Sequence, residues 1–237
     1  MRVIIVTQTF PPRFGGMQSV MSALAKNFSK TIATFVLPDH NIPESHPIRS
    51  YKIKFNFSKF PKFLRPLIKK IKLKKILKKD DIIICDSWKS LNAIPNTNNK
   101  VVMLAHGQEY LSKSKKKKIN KLLNKVSIVI SSSNYTKNIF LNICKFPENK
   151  IHVIPPTYEL ENDKIKIHNK SSNKKDLILT TISRLEERKG FLPVIKALKN
   201  LLEKKSINNF TWSIYGDGYL KEKINKQIDY YKLNKYI

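Results

Sequence analysis

Acidic residues are scarce in this chain of 237 residues: 17 Asp and Glu stand against 46 Lys and Arg, a formal charge of +29 at pH 7. An imbalance of that size invites anionic partners, among them nucleic acid, anionic lipid and phosphorylated substrates. Arginine is scarce as well. Only Arg2, Arg13, Arg49, Arg65, Arg184 and Arg188 are present, so the charge is almost entirely lysine. Bidentate reading of bases and phosphates leans on arginine, and no aromatic platforms are interleaved with the basic runs. No specific nucleic acid is therefore expected as a partner. Lysine, asparagine and isoleucine are all abundant, which a codon bias would explain as well as a function would.

Cysteine is limited to Cys85 and Cys144, both in or beside apolar runs. That is the pattern of two buried free thiols in a reducing compartment, not of a disulfide framework. No window holds the ~18 consecutive apolar residues of a membrane-spanning helix. Met1–Val6 is too short for a signal-peptide core, and Pro11-Pro12 follows it without a small-residue cleavage site. A cytoplasmic protein, or one attached peripherally to the inner face of a membrane, is the expectation. Nothing reads as an Asp-x-Asp metal site or a zinc ligand set, which fits a chain that needs no metal or cofactor.

Hydrophobic residues make up 41% of the chain, enough for a packed core. Short apolar runs alternate with helical patterns from end to end, which predicts an α/β fold with a Rossmann-like, doubly wound parallel sheet. Strands are expected at Val3–Val6, Thr34–Leu37, Asp81–Cys85, Val101–Ala105, Ser127–Ile130 and Ile151–Ile154, with a short one at Tyr51–Phe57. Met17, Val20, Met21, Leu24 and Phe28 recur at the spacing of one helix face. Further helices are expected around residues 113–124 and over Tyr135–Cys144. The polar stretch Glu159–Lys175 predicts a linker, after which the order restarts with Leu177–Ile182, a helix over Leu192–Lys204, Thr211–Tyr215 and a helix over Tyr219–Tyr231. This gives a first domain over 1–158, a linker over 159–175 and a second domain over 176–237. Residue 237 falls where another strand is due, so the second domain is expected to be incomplete.

Phe63–Lys79 reads as a basic amphipathic helix, with Leu64, Leu67, Ile68 and Ile71 against Lys69, Lys70, Lys72, Lys74 and Lys75 and no acid. Most charged helix faces are simply solvated. A face this one-sided also fits an interfacial helix on an anionic membrane surface, and Lys115–Lys118 would add to the same field.

The residues that point to chemistry lie where strands end. In open α/β sheets the carboxyl ends of the strands are where ligands bind. Ile178–Ile182 is followed by Arg184, Lys189 and Gly190, then by a helix whose start offers free N–H groups and a positive dipole end. Two cations there suit a diphosphate, although a solvated turn is the blander reading. Gly15-Gly16 follows the first strand and opens a helix, where glycine lets backbone approach a ligand; a plain strand–helix turn would look the same. Arg13 in that loop is placed to reach an anionic acceptor. His106 closes the fourth main strand, and Glu109 three residues on either orients it or caps the next segment. Gly216-Asp217-Gly218 is a tight turn before the last helix; alone it lacks the full dinucleotide fingerprint.

Taken together, Arg184-x4-Lys189-Gly190 and Ile214-Tyr215-Gly216-Asp217-Gly218 resemble the donor half of a GT-B glycosyltransferase of the group 1, or family 4, class. Phe10-Pro11-Pro12-Arg13-Phe14-Gly15-Gly16 is similar to that family's first glycine-rich loop. His106-Gly107-Gln108-Glu109, Ser131-Ser132-Ser133 and Val153-Ile154-Pro155-Pro156 fall between them in family order. The resemblance implies a retaining, metal-independent transfer of sugar from a nucleotide-sugar donor to a saccharide or lipid-linked acceptor, in polysaccharide or glycoconjugate assembly. It implies Gly15, Gly16, Arg184, Lys189, Gly216 and Gly218 at the donor, His106 beside the transferred sugar, and Arg13 and Glu109 on the acceptor side. Ser183 stands where the family often has glycine, Pro155-Pro156 replaces Pro-Asn-Gly, and the family's later Glu-x7-Glu segment has no counterpart. An inactive fragment from a split or truncated gene is thus the alternative reading. A basic α/β protein that binds nucleic acid is the third.

Overall fold

Short β-branched runs with no polar face form the centre of the first of two sheets. Val3–Val6 (β1) is at most 2% exposed at any position, as expected of a strand covered on both sides of a parallel sheet. Each such side chain contributes about 1.5–3 kcal/mol by leaving water. The computed structural model describes residues 1–13, 15–40, 52–53, 57, 59–156, 177–207 and 209–237. It divides into two units, Met1–Asp163 and Lys164–Ile237. The expected linker at 159–175 lies outside the described residues, as does most of the expected strand at Tyr51–Phe57, of which Lys52–Ile53 is seen as a strand.

In the first unit the chain runs β1, α1 (Gly16–Ser29), β2 (Thr34–Leu37), β3 (Lys52–Ile53), α2 (Arg65–Ile76), β4 (Ile82–Cys85), β5 (Lys100–Ala105), α3 (Lys116–Leu123), β6 (Ile128–Ser131), α4 (Asn134–Ile143) and β7 (Ile151–Val153). The strands order as β3-β2-β1-β4-β5-β6-β7, and every pairing is parallel. The direction of winding reverses between β1 and β4. Period-two alternation splits the core into two layers: Val101, Met103 and Ala105 of β5 join Leu73, Ile119 and Phe140 on one face, while Leu104 joins Ile84, Met21 and Ala25 beneath α1 on the other. Ser133 starts α4 by accepting the Thr136 N–H at 3.1 Å on its hydroxyl.

Helix α2 is shorter than the expected span of Phe63–Lys79, and its faces differ from the expectation. Lys69 is not on the solvated basic side. Only 2% exposed, its ammonium donates to the carbonyls of Thr7 at 2.8 Å and Leu37 at 2.9 Å and pairs with Asp39 at 2.5 Å. Leu67 and Ile71 are instead 55% and 51% exposed. The reason is geometric: Leu73 fixes the face that packs on the sheet, and position 69 lies one turn from it on the same face. There the carbonyls ending β1 and β2 require a donor. Burial pushes the Lys69 pKa down, against the pull of Asp39.

At the opposite edge of the sheet, Arg2 grips Asp81 with Nε at 2.9 Å and Nη2 at 2.5 Å, and Nη2 also donates to the Ile76 carbonyl at 2.7 Å. This pins the end of α2 to the start of β1. Burial works to raise the Asp81 pKa, but Arg2 and the Lys78 N–H together outweigh it, so the carboxyl titrates below its ordinary value of 3.8.

The second unit contains β8 (Leu177–Ile182), α5 (Phe191–Glu203), β9 (Phe210–Tyr215) and α6 (Lys221–Tyr230). β8 and β9 pair in parallel over six residues each. Phe191, Ile195, Leu198, Trp212, Ile224 and Ile228 make its core. Past the strands the ladder continues through turns: the Ser183 N–H donates to Tyr215 O at 3.1 Å and the Leu185 N–H to Asp217 O at 2.9 Å. This close approach leaves no room for side chains. A Cβ on Gly216 would lie 1.9 Å from the Ser183 carbonyl oxygen, and one on Gly218 2.5 Å from that of Leu185; their φ angles are +156° and +157°.

Two outcomes follow from these contacts. Asp81→Asn should cost about 2 kcal/mol of first-unit stability at pH 7. Because the folded pKa of Asp81 is depressed, its contribution is present above pH 3.8 and is lost as pH falls through the folded value. The gap between native and variant, read from exchange of the β1 amides, should therefore close on acidification; a constant gap would contradict the ion pair. Gly216→Ala should destabilise the second unit by more than about 2 kcal/mol, whereas Gly16→Ala, with no atom within 4 Å of the added Cβ, should be near neutral. Thermal unfolding of both variants decides this, and equal melting temperatures would contradict the packing.

Candidate functional site

The parallel order sends the loops after β1, β2, β4, β5 and β6 to one edge of the first sheet, with the winding reversal at β1 and β4. Such a reversal leaves a crevice at the carboxyl ends of the strands. Asp86, the residue after β4, sits there and is 1% exposed. Its Oδ2 lies 2.8 Å from the Gln8 N–H nitrogen, 3.1 Å from that of Thr9, and 2.8 and 2.9 Å from the hydroxyls of Thr7 and Thr9. Its Oδ1 accepts from the Ser90 hydroxyl at 2.5 Å. All these partners donate to it, the arrangement a carboxylate requires. The Thr7 hydroxyl is also 2.7 Å from the Thr9 carbonyl, and its single proton serves one of the two acceptors at a time.

His106, the residue after β5, joins this cluster: its Nε2 is 3.0 Å from the main-chain carbonyl oxygen of Asp86. Glu109 accepts the main-chain N–H of His106 at 3.0 Å. Glu109 thus holds the backbone of His106, and no described side chain caps the short helical turn Gln108–Tyr110 that follows. His106 also borders an apolar cavity of about 320 Å³ between α1 and the faces of β4, β5 and β6, closed by Pro155 and Pro156. Its walls include Val20, Leu24, Leu104 and Ile130, with few polar groups to read a sugar. The serines at 131–133 are occupied locally: Ser131 donates to the Ser133 carbonyl, and Ser132 bonds Thr136.

Gly15 lies just outside α1 with φ +152°, and Gly16 is the helix's first residue. No described side chain caps this helix start and its first turn has no acid, so its N–H groups face outward with a positive dipole end. Arg13 is exposed in the same loop; Phe14 lies outside the described residues. Beneath the loop, His40 is 8% exposed, with Nε2 3.1 Å from the Pro11 carbonyl and Nδ1 buried without a partner. Burial first, and then the charge of Arg13, push the His40 pKa down.

In the second unit the two motifs singled out from sequence lie side by side. The backbone entering and forming the Gly216-Asp217-Gly218 turn is bonded on both sides of Arg184, with Tyr215 O accepting the Ser183 N–H and Asp217 O the Leu185 N–H. The guanidinium of Arg184 is 70% exposed and pairs with Glu186 at 2.9 Å, while Arg188 takes the other carboxylate oxygen at 2.6 Å. The Arg188 hydrogen bond, then the charges of Arg184, Arg188 and Lys189, hold the Glu186 carboxyl below the usual range. Three cations thus crowd one carboxylate at the ends of β8 and β9. Lys189 also borders a hollow of about 170 Å³ with Thr180, Thr181 and Trp212. Gly190, with φ +75°, turns the chain into α5, whose start no described side chain caps.

Sequence reasoning missed Asp86, Lys69, His40 and Glu186. Asp86 had a usable signal, a lone acid directly after a buried strand at the ligand-binding edge. Lys69 had none among so many lysines. Among the described residues no group of three or more His, Cys, Asp or Glu is arranged to hold a metal ion. Both cysteines are free and buried, and burial pushes the Cys144 thiol up to about 12.

Comparison with known proteins places this geometry. A glycosyltransferase from Rickettsia africae superposes with a TM-score of 0.70 at 21% identity, over 100% of this chain and 67% of its own. The lipopolysaccharide outer core galactosyltransferase WaaB gives 0.68 at 15%, over 100% and 66%. Anabaena HepE, solved in complex with UDP-glucose, gives 0.67 at 16%, over 100% and 68%. These likenesses establish a shared GT-B fold, and the chain spans about two thirds of the length of these structures. No curated protein matches the sequence significantly. Residues 163–237 match the family described as Glycosyl transferases group 1. With residues 14–162 matching Glycosyltransferase Family 4, the chain belongs to that group 1 class of GT-B glycosyltransferases.

Proposed function

We propose that this chain binds a nucleotide-sugar donor and serves transfer of its sugar to a saccharide or lipid-linked acceptor, in polysaccharide or glycoconjugate assembly. The observation that carries the reading is the cluster of Arg184, Arg188 and Lys189 at the ends of β8 and β9, backed by the Gly216–Gly218 turn and followed by the uncapped start of α5. A diphosphate needs this combination of fixed cations, free N–H groups and close backbone. HepE is solved with UDP-glucose and TarM with UDP, so a uridine nucleotide is the first donor class to try. In this reading Arg184 and Lys189 neutralise the leaving diphosphate, and no metal is assigned to it. Charge stabilisation of this preorganised kind is commonly the largest catalytic contribution. Glu186 occupies Arg184 until a phosphate displaces it. Gly15, Gly16 and Arg13 serve the donor and acceptor at the first sheet, with His106 beside the sugar.

The acceptor side is proposed to work at an anionic membrane surface on the cytoplasmic face. Among the described residues no helix is long and apolar enough to cross a membrane. Phe63, Leu67 and Ile71 nevertheless point outward, 80%, 55% and 51% exposed, among Lys62, Lys70, Lys74 and Lys75. Lys69 ties this helix to the ends of β1 and β2, so the apolar face lies beside the edge that carries His106. Each cation near such a surface is worth about 1 kcal/mol, reduced by salt.

Titration calorimetry with UDP should show binding that Arg184→Ala or Lys189→Ala weakens at least about tenfold, the loss of one charge-assisted hydrogen bond. Glu186→Gln should tighten it. Equal affinity in all variants would contradict the donor site. For the membrane, sedimentation with phosphatidylglycerol vesicles should recover the native chain at low salt and lose the Phe63→Ser, Leu67→Ser double variant; equal recovery of both would remove the proposed face.

A further inference from the structure

Asp86 is tied to two parts of the candidate site through different atoms. Its carboxylate gathers Thr7, Gln8 and Thr9, the residues that lead from β1 into the loop ending at Gly15-Gly16. Its main-chain carbonyl contacts Nε2 of His106. A carbonyl can only accept, so Nε2 carries the proton, and in the neutral ring Nδ1 is left with its lone pair. Among the described residues Nδ1 makes no hydrogen bond. Lys69 completes the frame by donating to the Thr7 carbonyl.

We propose that Asp86 is a positioning residue that fixes the loop after β1 and the ring of His106 in one frame, presenting Nδ1 of His106 to accept a hydrogen bond from a sugar hydroxyl. The proposal rests on the glycosyl-transfer reading above for its use, but its geometry stands without it. A hydroxyl is the group that fits: it donates to Nδ1 and keeps its lone pairs for the reacting or neighbouring centre. Asp86 itself touches no substrate in this scheme. Its effect passes through the position of the carbonyl: the Thr7, Gln8, Thr9 and Ser90 donors hold the carboxylate, and the carboxylate holds the residue.

The test reads the imidazole directly. Chains labelled with ¹⁵N-histidine should show a slowly exchanging Nε2–H proton that vanishes in His106→Gln, which assigns it. Asp86→Asn places a donor among donors, and should raise the exchange rate of that proton about tenfold or more, the protection of one hydrogen bond. Asp81→Asn removes an equally buried carboxylate from the opposite edge and should leave the signal unchanged despite its loss of stability. Thr9→Val, which deletes one donor to Oδ2, covers the case in which Asp86→Asn fails to fold, and should give a smaller rise in the same direction. A protected proton on Nδ1 in the native chain would overturn the proposal. So would exchange in Asp86→Asn and Thr9→Val no faster than in Asp81→Asn. No donor or acceptor is present in the sample, so a failure here and a failure of UDP binding are separate results.

Discussion

Every described strand pairing in this protein is parallel, and that constraint decides where chemistry can occur. Parallel strands need crossovers, so all the loops that follow strands in one unit leave from the same edge. At that edge the last main-chain carbonyls and the N–H groups just beyond them have no rung above them. In the first unit Lys69 and Asp86 supply the missing partners, the one by donating to Thr7 and Leu37, the other by accepting from Gln8 and Thr9. Satisfying the strand ends and building the site are therefore the same physical problem here. A buried lysine and a buried aspartate are costly alone and tolerated together because each finds several partners.

The second unit handles its edge differently. Two glycines bring the turn after β9 against the backbone after β8, and the rungs continue through Ser183 and Leu185. Arg184 lies between those two rungs, so its backbone is held on both sides while its guanidinium extends into solvent. That combination, a fixed base and an exposed tip, suits a group that must meet an incoming anion. Glu186 then matters as much as the arginines: it pairs with both Arg184 and Arg188, and in the proposed scheme a stronger anion takes its place on Arg184.

The strands were legible because β-branched runs such as Val3–Val6 and Leu177–Ile182 admit few alternatives, and α1 because its apolar residues keep one face. The motif proposed to hold the donor stands out in the sequence because arginine is rare in the chain and Arg184 follows a strand end. Lys69 was not, since in a helix of lysines nothing local separates the one that turns inward; only the sheet beneath it does. The exposure of Leu67 and Ile71 follows from the same rotation of α2. Asp86 escaped because its role depends on the donors tertiary structure brings to it, and Thr7, Gln8 and Thr9 are far from it along the chain; Glu186 pairs with near neighbours, Arg184 and Arg188, whose charges drew the attention instead. Glu109, three residues after His106, holds that residue's backbone N–H and leaves the ring to the Asp86 carbonyl.

The account stands on the claim that the cations after β8 receive a diphosphate. A crystal structure of this chain soaked with UDP tests it most directly. Density for the diphosphate within hydrogen-bond reach of the Arg184 guanidinium and the Lys189 ammonium, with Glu186 turned away from Arg184, is the predicted result. UDP bound elsewhere on the chain, with the Arg184–Glu186 pair intact, would contradict it.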